Sequence, residues 1–350
     1  MATPLLSKSE KSYIHTALLD TPPQRADGRT PHAFRAIALE TGVASAANGS
    51  ARVQIGGVGG TEVMAAVKLE VGTDGDGEGE GIMCSVSCSS SAYPHLAPTA
   101  LDDRSHDLTG PLQAALAALA PSAAASLSIT KGKHWRAHVD AVVLADAGGA
   151  WEAVCMAVRA ALCDTKVPRT KGVEYRTQTQ ANSGAKSDRN KGGEGGDMDV
   201  DTETRSGFDT RAQGQSENWH GRGGEGDFEL VDYWDEGEVL KGKEGWPVGV
   251  VLNLLPPIHI LDATLPEEAA LPLQLLLAFS FPPSPSAPEV CAMRLLGSGA
   301  DLDVKAIGEL VKAGESYART IYDSLNAKLA SEEARRGVKA RERFAAARAR

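Results

Sequence analysis

Between Arg169 and Asp227 the chain becomes a tract of Gly, Ser, Thr, Gln, Asn, Asp and Glu with few large apolar side chains. Such a tract cannot bury enough surface to offset its conformational entropy. It is therefore expected to be disordered and to divide the 350 residues into separate blocks: structured halves at 1–168 and 228–330, the acidic insertion at 169–227, and a basic tail at 331–350. From Lys171 to Gly245 there are 17 acidic and 10 basic residues, so −7 of the formal charge of −10 sits there and −3 on the remainder. The ordered part is thus close to neutral, and local basic spots rather than the overall acidity decide what it binds.

The opening residues lack a long apolar core, and the most apolar later runs are short and interrupted by proline, so neither a signal peptide nor a membrane span is expected. Five cysteines, Cys84, Cys88, Cys155, Cys163 and Cys291, form an odd set without metal-type spacing, which favours a reducing intracellular compartment.

Both blocks read as strands closed by a helix. Ser7 and Glu10 make a capping box before Tyr13, Ile14, Ala17 and Leu18 at helical spacing, a helix that Pro22 and Pro23 end. The stretches FRAIALETG, SARVQIGG, EVMAAVKLEVG and IMCSVSCSS read as antiparallel strands. A helix from about Pro111 to Leu119 comes next, with Pro111 in its first turn, then strands ASLSIT and WRAHVDAVVLADA, then a helix from Trp151 to about Cys163. The second block predicts strands PVGVVLNLL and IHILDA, an acidic turn at Glu267 and Glu268, and strands LQLLLAFSF and EVCAMRLLG. It closes with a helix from about Asp303 to Leu329 that places Ile307, Leu310, Val311, Tyr317, Ile321 and Leu325 on one face. The fold class is α+β, with helices covering mainly antiparallel sheets.

The stretch DAGGAWEAV, Asp146 to Val154, has the strand, glycine turn and helix start that cradle phosphates elsewhere, because free N–H groups and the helix dipole point at such a turn. Yet Gly148 and Gly149 are followed by Ala150, Trp151 and Glu152, with no hydroxyl or cation. Lys131, Lys133 and Arg136 flank a turn beside Trp135 and could contact RNA phosphates, although a basic hairpin without a ligand is also common. Asp262, Glu267 and Glu268 could bind a metal or donate a proton, or could simply solvate a strand exit, and sequence leaves these even. Asp74, Asp76 and Glu78 imitate a calcium loop but lack its twelfth-position Glu, and read as a solvated hairpin tip. His134 with His138, Cys84 with Cys88, and Ser89 to Ser91 with His95 read as ordinary packing or surface groups. No metal site or cofactor is expected.

In combination, RADGRTPHAFRAI (Arg25–Ile37), NGSARVQIGG with GTEVMAAVKLEV (Asn48–Val71), HVDAVVLADAGG with VRAALCDTKVP (His138–Pro168) and VLNLLPPIHILDATLPEE (Val251–Glu268) resemble the RNase PH-like family. The resemblance is strongest to non-catalytic ring subunits of the eukaryotic RNA exosome, in the branch with a ribosomal-RNA-processing role. It implies an RNase PH-like fold whose N-terminal half is like ribosomal protein S5 domain 2. Phosphorolytic relatives hold phosphate where the glycine pair is followed by Thr or Ser and then Arg. Ala150 and Trp151 therefore mark a degenerate phosphate site, with Glu152 repelling phosphate, and GPLQAALAALA lacks the arginines that grip an RNA 3′ end. Asp27 and Arg29, beside the tight turn at Gly28, read as buried, hydrogen-bonded pairs that fix strand ends or subunit contacts rather than as catalytic groups.

The resemblance further implies a subunit without catalysis of its own, not an enzyme. It would sit in a six-membered ring of RNase PH-like chains with RNA-binding cap subunits and an associated hydrolytic nuclease, away from membranes. It would serve rRNA maturation and mRNA decay in nucleus, nucleolus and cytoplasm. The alternatives are an active phosphate-dependent 3′-to-5′ exoribonuclease using arginines from elsewhere, and an insertion that docks a regulatory partner.

Overall fold

The computed structural model describes residues 6–73, 81–117, 126–130, 132–173, 227–231, 233, 237–283, 287–297 and 302–348. Helix α1 (Lys8–Leu19) has the Ser7–Glu10 capping box, and its buried contact is Leu18, while Tyr13 is 72% exposed rather than on the packed face.

The first sheet contains β1 (Ile37–Thr41), β2 (Gly49–Ile55), β3 (Thr61–Thr73), β4 (Ile82–Cys88), β5 (Ser128–Thr130) and β6 (Lys133–Ala145), in the order β1-β2-β3-β6-β4 with β5 paired to β6. Alternation decides its faces: along β3, Val63, Ala65, Val67 and Leu69 point inward while Glu62, Met64, Ala66 and Lys68 point away. β4 pairs with β6 in parallel and β6 lies between β3 and β4, which corrects the expected β3–β4 hairpin. The calcium-loop look-alike at 74–80 lies outside the described residues.

Helix α2 (Pro98–Ala117) begins well before the predicted start, and Pro111 lies inside it rather than in its first turn. Proline has no N–H for the carbonyl four residues back, here that of Asp107. Arg294 supplies the donor instead, with Nη1 3.3 Å from that oxygen and Nη2 3.0 Å from the Asp107 carboxylate.

Helix α3 (Ala150–Asp164) is buried continuously from Ala150 to Leu162 because it is packed between two sheets. On one side are β2 and β3. On the other is β11 (Val248–Leu255), after β7 (Lys166–Val167), β8 (Thr170–Val173), β9 (Asp227–Leu230) and β10 (Glu238–Val239). β8 pairs with β9, so the edges of the predicted insertion form a strand pair, and 174–226 lie outside the described residues. The second sheet runs β12-β11-β13-β14, with β12 at Ile258–Ile260, β13 at Leu273–Ser280 and β14 at Glu289–Leu296, antiparallel throughout.

The acidic turn is helix α4 (Leu265–Ala270), started by a Thr264–Glu267 capping box. Helix α5 (Val304–Arg348) covers β11 and β13 and continues through most of the predicted tail. Its distal part is docked rather than solvated where Glu332 is buried and Arg336 pairs with Asp164 over Gly42.

One continuous apolar core joins both halves through α3. At its centre a Cβ on Gly249 would lie 2.5 Å from Cys155 Sγ and from the Trp151 ring. Gly249→Ala is expected to lower stability by about 1–3 kcal/mol through overpacking, measured by denaturant unfolding.

Candidate functional site

The turn between β6 and α3 has the backbone of an anion cradle. Gly148 and Gly149 sit at φ +99° and +71°, and a Cβ on Gly148 would collide with the Ala263 carbonyl. Both glycine N–H groups are already engaged. The Gly148 N–H donates to Asp146 Oδ1 (2.8 Å), and the Gly149 N–H, at the N-cap of α3, donates to Glu268 Oε1 (2.7 Å). An internal carboxylate thus stands where an incoming anion would bind. Ala150 and Trp151 are buried in the core and do not face solvent.

Three arginines from residues 25–35 converge on residues 261–268. Asp262, fully buried at φ +46°, accepts from Arg29 Nη1 (2.9 Å), the Arg35 backbone N–H (2.7 Å), Arg35 Nε (2.9 Å) and Arg35 Nη2 (2.6 Å). Arg35 also bonds the Ala147 and Gly148 carbonyls (3.0 and 2.7 Å), tying the glycine turn to the same carboxylate. Arg25 grips Glu267 (2.9 and 2.6 Å) and the Leu261 and Asp262 carbonyls (3.0 and 2.9 Å). Asp27 pairs with Arg29 (2.6 Å), the structural role predicted for them, although Asp27 itself is exposed. Burial works against the charge on Arg35, but the Asp262 carboxylate outweighs it and holds the guanidinium above its usual range.

The balanced alternatives for Asp262, Glu267 and Glu268 thus resolve into internal partners. Asp262 and Glu267 hold arginines, and Glu268 holds the turn.

Glu152 is likewise held internally. It is fully buried, accepts the Val251 N–H through Oε1 (2.9 Å) and leaves Oε2 without a partner. Burial, reinforced by the charge of Asp262, pushes its pKa well above the usual carboxylate value, so its surroundings disfavour the charge that would repel a phosphate. Glu268 is pushed up to about 7 by burial and by Asp146, against the pull of the Gly149 N–H, Arg104 and Arg35.

Arg104 falls in the part of α2 that the shorter predicted helix missed. It lies on α2 with Asp146 at 3.7 Å and the Tyr93 ring at 5.9 Å. The Tyr93 hydroxyl donates to the same Asp146 carboxylate. These groups, with Lys11, His95 and Glu268, line a cavity of about 480 Å³ beside the turn.

The basic hairpin does not form an open cationic patch among the described residues. Lys131 lies outside them, Lys133 is over the Phe228 ring at 5.5 Å, and Arg136 is 8% exposed with its side chain laid across Gly72. His138 is 3.6 Å from Glu70, and among the described residues no group of three or more His, Cys, Asp or Glu could hold a metal. Cys84 and Cys88 are buried, and burial raises both thiols, Cys84 to about 12. Ser89 and Ser91 bond one another at 2.7 Å.

Residues 33–168 match the 3′ exoribonuclease family, domain 1, also termed RNase PH. The match spans the first sheet and helices α2 and α3. It is similar to the exosome complex component Rrp42 of Methanothermobacter thermautotrophicus, at 32% identity over 41% of this chain and 54% of that protein. It is also similar to rrp42 of Schizosaccharomyces pombe, at 34% identity over 47% and 54%. The chain therefore spans about half the length of the curated relatives it matches. Among solved structures, a chain of an archaeal exosome core aligns over 91% of this chain and 96% of its own length, with a TM-score of 0.56 and 21% identity. A chain of the Archaeoglobus fulgidus exosome with RNA bound to the active site aligns over 90% and 97%, with a TM-score of 0.58 and 19% identity. The α+β RNase PH fold thus extends beyond residues 33–168, across the second sheet and helix α5.

Two measurable outcomes arise from this chemistry. A carboxyl group whose folded pKa is raised binds its proton more tightly in the native state, so it stabilises at low pH and that contribution fades as pH rises from the unfolded value toward about 7. Glu268→Gln keeps the acceptor for Gly149 and is expected to flatten this fall, gaining about 1–3 kcal/mol at pH above 7 in pH-dependent thermal unfolding. Asp262→Ala leaves Arg35 without its carboxylate and Arg29 with Asp27 alone, and is expected to cost about 3–5 kcal/mol in chemical denaturation.

Proposed function

We propose that this chain is a catalytically silent subunit of an exosome-type ring, supporting 3′-to-5′ RNA processing and degradation without turnover of its own. The observation that carries this reading is the occupied cradle: Glu268 takes the Gly149 N–H, and Arg29 and Arg35 are locked onto buried Asp262. Phosphorolysis needs an anion held and activated at such a turn, and here both glycine N–H groups and the guanidinium groups of Arg29 and Arg35 are engaged by internal carboxylates instead. The exosome components among the similar proteins support a ring setting. The edge strand β14, which exposes Val290, Met293 and Leu295, offers a face suited to a neighbouring subunit.

On this reading the partners are other RNase PH-like chains, cap subunits, RNA and a separate hydrolytic nuclease. The work is rRNA maturation and mRNA decay in nucleus, nucleolus and cytoplasm. The competing reading, a phosphate-dependent 3′-to-5′ exoribonuclease, draws on Arg104 beside the cavity.

The two separate in one experiment on the assembly recovered with the tagged full-length chain. The silent-subunit reading expects stoichiometric RNase PH-like companions, and a Glu268→Gln assembly that degrades RNA as the parent does. Isolation of the chain alone, with release of nucleoside diphosphates from RNA on adding phosphate, would replace it by the enzyme reading.

A further inference from the structure

His32, His259 and Tyr317 come together where three distant segments meet. His32 belongs to the segment that carries Arg25, Arg29 and Arg35, His259 lies on β12, and Tyr317 lies on α5. The two imidazoles are stacked with centroids 4.8 Å apart and planes at 25°. The Tyr317 ring lies 5.3 Å from His32 and 5.8 Å from His259, and its hydroxyl is 3.1 Å from His259 Nε2. Beside the trio, the Leu261 N–H donates to the Pro31 carbonyl (2.9 Å) and ties the segment to the end of β12.

We propose that this trio is a proton-sensitive latch, holding the arginine-bearing segment and α5 against β12 and loosening as the two imidazoles take up protons. Stacked neutral imidazoles attract through their faces, whereas two imidazolium rings in that geometry repel. The groups facing His259 are His32 from the segment and Tyr317 from α5, and among the described residues neither histidine is ion-paired to a carboxylate that would stabilise its charged form. His32 is exposed, so protons reach the pair without prior unfolding. Burial, then the neighbouring His32, lowers the pKa of His259 from 6.5. The native state therefore binds fewer protons than the unfolded state: the latch is fully formed above that unfolded value and weakens as pH falls below it.

The device is distinct from the glycine turn and does not depend on the ring reading. Its consequence is local, because Arg29 and Arg35 flank His32 on one segment, and a loosened latch frees the chain that delivers them to Asp262.

Hydrogen–deuterium exchange of the full-length chain, normalised for intrinsic rates, tests it between about pH 7.5 and about pH 5.5. In the parent, protection at residues 28–36 and 258–260 is expected to fall about tenfold on acidification, while α3 stays unchanged. His32→Phe, at an exposed position, is expected to remove most of that fall. Equal protection at both pH values, or an undiminished fall in His32→Phe, would overturn the latch. Titration of the imidazole protons by NMR in the parent gives an independent reading. One histidine titrating below 6.5 supports the proposal, and every histidine titrating at or above that value refutes it.

Discussion

The buried Asp262 carboxylate is the interaction on which the surrounding architecture depends. It sits just beyond β12 in a left-handed backbone conformation that a non-glycine residue adopts at a cost, and it is fully removed from water. A charge in that position persists only when paired and hydrogen-bonded. Arg29 and Arg35 satisfy it, and through them a segment near the N-terminus, the turn before α3 and the end of the second sheet are held in one arrangement. The Arg25–Glu267 pair repeats this one step along and fixes the start of α4.

That clamp sets the condition of the glycine turn. Its backbone keeps the form of an anion cradle because Gly148 must pass close to the Ala263 carbonyl and Gly149 must start α3 without a Cβ against Asp262 and Glu152. Packing therefore accounts for the glycines whether or not an anion binds. Chemistry has moved into the protein: Glu268 supplies the carboxylate that the helix end attracts, and buried Glu152 lies against the same turn. Trp151 and Cys155 seal the layer against Gly249.

Much of the fold could be read from local pattern. Alternation along β2 and β3, the Ser7–Glu10 capping box, and the apolar run that became α3 specify their elements through neighbours in sequence. The errors have a common physical origin. Pro111 looks like a helix start because its missing N–H usually needs a terminal position, and only Arg294, from a strand far along the chain, lifts that restriction. The β3–β4 connection resembles a hairpin because sequence cannot show that β6 inserts between its strands. The basic tail carries its charge plainly, but Asp164 and Gly42, which receive Arg336, lie on other elements.

The candidate site divides in the same way. Sequence alone determined the residue types: glycines without a following hydroxyl or cation, and acids beyond an apolar strand, set within the RNase PH family pattern. Tertiary structure decided what those residues do. Whether Glu268 faces solvent or a helix N-terminus, whether Arg136 is an open cation or packed over Gly72, and whether Glu152 carries charge depend on burial and on partners more than a hundred residues away or on facing strands. Electrostatic energy varies with distance and with exclusion of water, and neither is encoded in the spacing of residues along a chain.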